Sequence, residues 1–422
     1  MHKRNIISKK SNNTENYERL PAKIELPLSE DMPITYDLRL AVPIIAALSY
    51  EEIKDDVWNW MIENYTQLVC QKKVVGNIPY NYFRIFNAYN PFLDRRHEFH
   101  FRFFWKNSKK TLEHLLKKIS GGCYVHIKLD RYYLRGLDGY NSQHIMHTEC
   151  VYGYNIKKEE LYLFGFANFT DSSLKKTTIN FSDFLMAFES FIEKERFYTL
   201  TTDKINKIQK YEINETKMIA GLENYINSNL PIEKIFENNR KKETVFSWDF
   251  PVNCVVGISS INEMSKAVLS NNYLNQKTKV KTIMQVLLEF QVIMLKRFDY
   301  FWGKGKIDKT LLDSYSKIIN GFESLKFMYL KFVVTNNYSN MDSFVLQLQH
   351  LNEATNPLIS ELLNKIEPER NKKNLTRKLL GMLKKSCNMI KISCISFFVL
   401  LKELSFFVYS IIREIYSFVF DN

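Results

Sequence analysis

Glycine, proline and cysteine are scarce in this chain of 422 residues, which contains 13 Gly, 10 Pro and 6 Cys. The shortage of Gly and Pro argues against a fold built mainly from tight turns. The cysteines lie far apart and none has CxxC spacing, and the first residues lack the apolar stretch of a secretory signal. We therefore expect reduced thiols, no structural zinc and a cytoplasmic location. Walker, Rossmann and HExxH motifs are also absent from the sequence, so we expect no metal and no cofactor.

The composition is otherwise that of a soluble globular chain. Hydrophobic residues make up 45% and charged residues 25%, while aromatics reach 14% with 31 Phe and 24 Tyr. A chain of this length exceeds one ordinary domain, so we expect two or more compact units. The aromatic content favours long helices and aromatic-rich strands.

Positive charge is concentrated in one short stretch rather than spread evenly. The net charge is +13, and residues 371–385 carry six cations and no acid. The sequence shows no helix-turn-helix or RNA-recognition motif, so we expect no nucleic-acid partner. Two apolar runs follow, at 392–401 and 404–412, and both are too short to span a bilayer. We expect the tail to dock on the protein body or on a second copy; the alternative is a helix lying on a membrane surface.

The hydrophobic pattern divides the chain into four segments. Residues 1–30 show neither helical nor strand periodicity and are predicted to form a flexible arm. Residues 31–200 alternate between patterns and predict a mixed α and β domain. Residues 205–370 predict a helical domain, because an apolar residue recurs every three or four positions in 283–301 and 311–334. Residues 245–262 interrupt it and could return a strand or loop to the first domain, and residues 371–422 form the tail.

Strand signals are strongest in the middle of the mixed domain. Short segments rich in β-branched or aromatic residues, bounded by Gly, Asp, Asn or Lys, occur at 123–129, 147–154 and 160–166. The last two are joined by a short polar connection and predict an antiparallel hairpin. Residues 109–119 predict an amphipathic helix that Gly121 and Gly122 end, and 180–191 begin another helix.

Two of the eight histidines, His144 and His147, lie three residues apart just before a predicted strand. Papain-like folds present their general base in this way, with a His at the mouth of a strand. The hairpin that follows carries, at its far end, a polar residue that orients the base. The alternative is that both are structural histidines whose hydrogen bonds are satisfied locally.

Three short elements occur in order around these histidines: D-x-Y-Y-L at 130–134, H-x-x-H at 144–147 and Y-G-Y-N at 152–155. Together they resemble the N-terminal domain of butirosin biosynthesis protein H and its relatives, over about residues 31–200 and more faintly in the helical region. This family is similar in fold to papain-like and C39-like cysteine peptidases. Its members accompany nonribosomal peptide and other thiotemplate assembly lines. A cysteine takes an acyl group from a carrier-bound thioester and passes it to an amine.

The resemblance implies roles for several residues. His147 matches the base, and Asn168, or the preceding segment 165–167, falls where the orienting residue would come. Asp130 and Tyr132 match the element that lines the cleft, and His144 is the companion histidine. An acyl or peptidyl carrier protein and a small acyl or peptide substrate are the implied partners.

The nucleophile is where this chain departs from the family. The family's cysteine lies at the N-terminus of the first long helix, whereas this chain has no Cys before Cys70. Tyr36, Asp37 or Leu38 takes its place, and we expect Asp37 to border the substrate and to cap the helix. Cys70 is the remaining candidate nucleophile, although it follows an apolar run at an expected helix end, where carbonyl dipoles raise a thiol pKa.

Two further cysteines, Cys123 and Cys150, fall on predicted strands and are expected to be small buried hydrophobes. The sequence therefore predicts an α+β papain-like domain followed by a mainly α-helical region. The expected function is that of an accessory protein of secondary-metabolite biosynthesis, which binds an acyl chain or peptide without the covalent step. The alternatives are an active Cys–His acyltransferase or thioesterase, and an interaction protein that docks through residues 371–422. A further segment, 94–110, interleaves bases with aromatics and predicts either a carrier-binding surface or an amphipathic strand.

Overall fold

The computed structural model describes residues 20–75, 78–86, 90–101, 107–167, 173–194, 197–229, 254–269 and 277–367. The chain divides into two compact units. The first comprises Met1–Trp60 and Asn90–Glu212, and the second comprises Met61–Tyr89 and Ile213–Asn422. Residues 61–89, which lie inside the predicted 31–200 domain, thus group with the helical region. The mixed α and β character and the antiparallel sheet predicted for the first region are confirmed.

The secondary-structure elements are numbered in chain order. The strands are β1 (Lys23–Glu25), β2 (Gln67–Val75), β3 (Ile78–Phe86), β4 (Leu93–Phe101), β5 (Cys123–Asp130), β6 (Met146–Asn155), β7 (Glu160–Phe166), β8 (Leu174–Asn180), β9 (Phe197–Ile205) and β10 (Cys254–Val256). The helices are α1 (Leu38–Leu48), α2 (Lys54–Asn64), α3 (Ser108–Ser120), α4 (Phe181–Lys194), α5 (Glu215–Ile226), α6 (Ser259–Leu269), α7 (Lys277–Gly303), α8 (Lys309–Thr335) and α9 (Met341–Ile366).

The first unit is built on an antiparallel sheet. Its strand order is β4–β9–β5–β6–β7–β8, and β1 pairs with the C-terminal half of β6. The predicted hairpin is confirmed, because β6 pairs with β7 from Cys150↔Phe164 to Asn155↔Glu160. β4 confirms the strand interpretation of the 94–110 segment over Leu93–Phe101, with Asp94 and Arg96 exposed.

Three helices cover this sheet. The predicted helix 109–119 is α3, whose buried stripe includes Leu112, Leu115, Leu116 and Ile119. Gly121 caps its end, as predicted, and Asn107 caps its start by accepting the backbone N–H groups of Lys109 and Lys110. α3, α4 and the sheet share one apolar core. α1 is buried along every residue except Arg39, which is typical of a helix apolar on all sides.

The prediction that residues 1–30 form a flexible arm is wrong for the last third of this segment. Lys23–Glu25 forms β1 and pairs with β6, and Leu20, Ile24 and Leu26 pack against the apolar core. The physical reason is tertiary pairing, since a three-residue strand shows no period of its own. Residues 1–19 and the tail 371–422 lie outside the described residues.

The second unit contains five helices among the described residues and the three-stranded sheet β10–β2–β3. The stripes predicted in 283–301 and 311–334 are confirmed as parts of α7 and α8. Residues 245–262, predicted to return a strand or loop to the first domain, include the strand β10; it pairs with β2, which belongs to the second unit, so the predicted return to the first unit is wrong. No helix in the described ranges is long and apolar enough to cross a membrane.

Candidate functional site

The residues predicted to carry chemistry meet where β5 ends and β6 begins. Leu129 pairs with His147 across these strands, and Asp130 pairs with Met146. A single 3-10 turn, Arg131–Tyr133, follows β5 directly, and the backbone N–H of Arg131 donates to Ile145. The D-x-Y-Y-L and H-x-x-H elements are therefore neighbours in space because antiparallel pairing brings them to the same end of the sheet.

His147 belongs to a buried ionic cluster. Its Nδ1 lies 2.9 Å from Oε1 of Glu149 and 3.0 Å from Nη2 of Arg131. Arg131 also donates through Nε to the same Glu149 oxygen at 2.6 Å. The side chains of Arg131 and Glu149 are 0% and 1% exposed, whereas the His147 side chain is 25% exposed. His147 thus contacts the buried Arg131–Glu149 ion pair, and part of its ring is exposed to solvent.

The two contacts of His147 Nδ1 exclude each other. A guanidinium only donates and a carboxylate only accepts, so Nδ1 makes one of these hydrogen bonds at a time. When Arg131 donates to Nδ1, the neutral ring carries its proton on Nε2 and presents a donor. When Nδ1 donates to Glu149, the neutral ring presents Nε2 as an acceptor. The contact with Arg131 therefore favours a neutral tautomer of His147 that donates from Nε2, which a carboxylate partner alone would not favour.

Gly165 brings the start of α1 close to this cluster. A Cβ atom at Gly165 would lie 3.0 Å from Glu149 Oε2 and 3.7 Å from Cδ2 of Leu38. Glycine at this position leaves room for both side chains. The side chain of the first residue of α1 and the carboxylate that holds His147 are therefore both neighbours of Gly165.

The predicted cap of α1 is confirmed. Asp37 Oδ1 accepts the backbone N–H of Arg39 at 2.9 Å, and Asp37 has extended backbone geometry. The Arg39 side chain also donates to the same carboxylate, through Nη2 at 3.1 Å. The carboxylate of Asp37 is thus occupied within the first turn of α1.

His144 forms a second histidine–carboxylate pair. Its Nδ1 lies 2.6 Å from Asp130 Oδ2, and its ring stacks on Tyr132 with centroids 4.4 Å apart. Asp130 is fully buried and also accepts from the Ser190 hydroxyl at 2.7 Å and from the backbone N–H of Tyr132 at 3.1 Å. Burial opposes ionisation, but the hydrogen bonds from Ser190, His144 and Tyr132 outweigh it and lower the pKa of Asp130.

The thiols of the first unit lie away from His147. Cys150 is three residues beyond His147 on the same strand, so the two side chains face opposite sides of the sheet. Their positions are about 10 Å apart along the strand. Cys123 is at the other end of β5, six residues from the partner of His147, which corresponds to about 20 Å. Burial raises the pKa of both thiols. Cys150 is fully buried, as predicted for a cysteine on a strand.

The predicted environment of Cys70 is wrong. α2 already ends at Asn64, and Cys70 lies within β2 of the second unit, between Phe83 of β3 and Val255 of β10. Its side chain is fully buried. A local signal was nevertheless present in the sequence, because β2 pairs along its whole length with β3 and the two residues between them, Gly76 and Asn77, are typical of a hairpin turn.

Asn168 lies outside the described residues, and Glu149 was not predicted as a partner of His147. A signal for Glu149 was nevertheless present in the sequence. Residues i and i+2 of a strand share one face, so a carboxylate two positions after a candidate base is placed to hold it. No signal of comparable simplicity identified Arg131, because its contact depends on the turn after β5.

A third polar cluster lies elsewhere in the sheet. Arg95 donates to both oxygens of Asp203 at 2.7 Å, and His126 Nε2 lies 2.9 Å from Asp203 Oδ2. Asp203 is fully buried; burial opposes its ionisation, but Arg95 and His126 hold the pKa well below its usual range. The side chains are 8%, 0% and 3% exposed for Arg95, Asp203 and His126, so this cluster binds strands together rather than facing a substrate.

Within the described ranges no group of His, Cys, Asp and Glu side chains is arranged to hold a metal ion. The arrangement around His144 and His147 consists instead of two histidine–carboxylate pairs linked by the consecutive residues Asp130 and Arg131. No protein-family model matches the chain, and no curated protein matches it.

Proposed function

We propose that the first unit binds an acyl or peptidyl thioester presented by a carrier protein, and that it does so without forming an acyl-enzyme. On this proposal the unit is a papain-like relative of carrier-dependent acyltransferases that has lost its nucleophile. The protein then serves secondary-metabolite biosynthesis in the cytoplasm as a binding or handing-over component.

One observation carries the proposal: the first residue of α1, which lies beside Gly165 as Glu149 does, is a leucine. Leu38 and Glu149 both border the position where Gly165 lacks a Cβ, and Glu149 holds His147 at 2.9 Å. A leucine cannot attack a thioester. Cys123 and Cys150, the two thiols of this unit, are separated from His147 by strand geometry. Cys150 is fully buried and Cys123 partly so, and this burial raises the pKa of both thiols, which suppresses the thiolate.

The remaining groups favour binding of a carbonyl group. With Arg131 donating to Nδ1, the His147 ring presents Nε2–H as a hydrogen-bond donor. Such a donor suits a thioester carbonyl oxygen. Leu38 supplies an apolar side chain beside Gly165, which Glu149 also neighbours. On this proposal the histidine and carboxylate of a nucleophilic enzyme are present without the nucleophile.

The test measures covalent and reversible binding separately. We expect the full chain to bind octanoyl-pantetheine saturably in calorimetry and to show no added acyl mass in intact-protein mass spectrometry. Leu38→Cys restores a thiol at the start of α1 and should acquire an acyl adduct that His147→Ala diminishes. Leu40→Cys is the matched control, because it lies in the same turn on another side of the helix and should not react.

Two results would contradict the proposal. One is an acyl adduct on the wild-type chain that disappears in Cys70→Ser, which would instead establish the active acyltransferase or thioesterase. The other is the absence of saturable binding to either the pantetheine thioester or a carrier-bound thioester. Equal reactivity of the two introduced cysteines would show that the start of α1 has no special relation to His147.

A further inference from the structure

The Asp130–His144 pair has the form of a general base that needs no cysteine. A general base requires an imidazole whose Nδ1 is fixed and whose Nε2 can reach a reactant. The Asp130 carboxylate fixes Nδ1 at 2.6 Å, and the Tyr132 ring fixes the plane of the imidazole by stacking at 4.4 Å. The side chain is 48% exposed, so solvent reaches the ring.

The carboxylate is itself held in place from two further sides. Ser190 donates to Oδ2 at 2.7 Å and the Tyr132 backbone donates to Oδ1 at 3.1 Å. Asp130 is fully buried, and its lowered pKa keeps it ionised at neutral pH. A buried, ionised carboxylate both sets the tautomer of the ring and stabilises the imidazolium that forms when the ring accepts a proton.

His144 differs from His147 in the identity of its charged neighbours. The His147 Nδ1 lies within hydrogen-bond distance of both a guanidinium and a carboxylate, so its neutral ring can present either a donor or an acceptor at Nε2. The His144 Nδ1 lies against a carboxylate, which favours the tautomer with an acceptor at Nε2. His147 can thus donate from Nε2 to a carbonyl oxygen in one of its two tautomers, whereas the Asp130 contact sets His144 to remove a proton.

We propose that His144 activates water for hydrolysis of the bound thioester, an activity that rests on the proposed function. The water oxygen forms a bond to the carbonyl carbon while its proton moves to His144 Nε2. The carbon–sulfur bond then breaks, and the proton on Nε2 passes to the leaving thiolate. The products are a carboxylic acid and a free thiol, and no oxidant, reductant or cofactor takes part. Asp130 and Ser190 are positioning residues.

The experiment follows thiol release from octanoyl-pantetheine by the full chain. We expect release above the buffer rate, a loss of roughly 10²-fold or more in kcat for His144→Ala with KM little changed, and recovery when imidazole is added. Added imidazole can enter because the ring it replaces is half exposed. Asp130→Asn should lose rate without recovery, and His144→Gln serves as a second variant if alanine disturbs folding.

His114→Ala is the matched control. His114 also pairs with a carboxylate, Glu98 at 2.7 Å, but lies on α3 outside the site, so its loss should not alter thiol release. Saturable binding with no release above the buffer rate would overturn the hydrolytic activity and leave the proposed binding function standing. Absence of binding would overturn both. Release that survives His144→Ala unchanged would assign the reaction to another group.

Discussion

Removal of the Asp203 carboxylate is the sharpest test of how the first unit is held together. Asp203→Ala would leave Arg95, whose side chain is 8% exposed, without its bidentate partner. It would also leave His126, 3% exposed, without its carboxylate. Breaking a buried ion pair from one side costs about 3–5 kcal/mol, because the remaining charge stays buried and uncompensated. A domain is stable by about 5–15 kcal/mol, so the unit should lose much of its stability.

The double variant separates the charge from the packing. Arg95→Met combined with Asp203→Leu removes both buried charges and keeps apolar volume, so it should recover most of the loss. The hydrogen bond that His126 loses leaves a cost of about 1 kcal/mol. The two residues are direct cross-strand partners on β4 and β9, so their effects should be strongly non-additive.

Hydrogen–deuterium exchange of peptides from β4, β5 and β9 is the appropriate assay. It reports on the first unit alone, whereas a global unfolding transition would combine two units. We expect faster exchange in all three strands for Asp203→Ala and near wild-type exchange for the double variant. An Asp203→Ala variant with unchanged exchange, or a double variant that exchanges faster than the single one, would refute the reasoning.

Two further predictions concern charged groups, one in the first unit and one in the second. In the first unit, Asp203 and Asp130 have lowered pKa values, so the unfolded state binds protons before the folded state does as the pH falls. The stability that these two carboxylates contribute is therefore complete above about pH 5 and is lost towards pH 2. Urea midpoints that do not fall over this range, or that fall equally in Asp203→Asn, would contradict this. In the second, burial lowers the pKa of Arg297 to about 9, and its side chain donates to the carbonyls of Ile62 and Tyr65, both at 2.6 Å. Arg297→Met should destabilise the second unit by about 2–4 kcal/mol, because two buried carbonyls lose their donors. The measurement is hydrogen–deuterium exchange in α2 and α7. Slowed or unchanged exchange would show that the cost of burying the guanidinium outweighs these two hydrogen bonds.

Local pattern was enough to predict several elements. The apolar stripe of α8 is predicted from its spacing alone, because a helix long enough to repeat its period several times leaves little ambiguity. The β6–β7 hairpin was predicted because its two strands are adjacent in sequence and joined by a short polar turn. The cap at Asp37 followed from the preference of a carboxylate for free backbone N–H groups.

The errors arise where strand pairing outweighs the local pattern, between distant segments for β1 and across a local hairpin, completed by the distant β10, for Cys70. β1 has three residues and exists because β6 offers it hydrogen bonds. Cys70 was expected at a helix end, yet β3 and β10 make its segment a central strand. Intrinsic strand preference is weak compared with the hydrogen bonds and packing that a partner strand supplies.

The candidate site shows the same division. The sequence identified Asp130, Tyr132, His144 and His147 as a group, and these residues do meet at one end of the sheet. It did not identify Glu149 as the carboxylate that holds His147, or Ser190 as a donor to Asp130. Ser190 comes from α4, sixty residues beyond Asp130, so only packing of this helix on the sheet brings them together.

By itself, the sequence determined which segments become long helices, where the central hairpin turns, which thiols exist and that none lies at the start of α1. These properties depend on neighbours a few residues apart. Tertiary structure alone decided the partners of each histidine, an arginine and a glutamate for His147 and an aspartate for His144. A hydrogen bond between side chains requires positions fixed within a few tenths of an ångström, and for these residues such positions arise only when the strands pair and the helices pack.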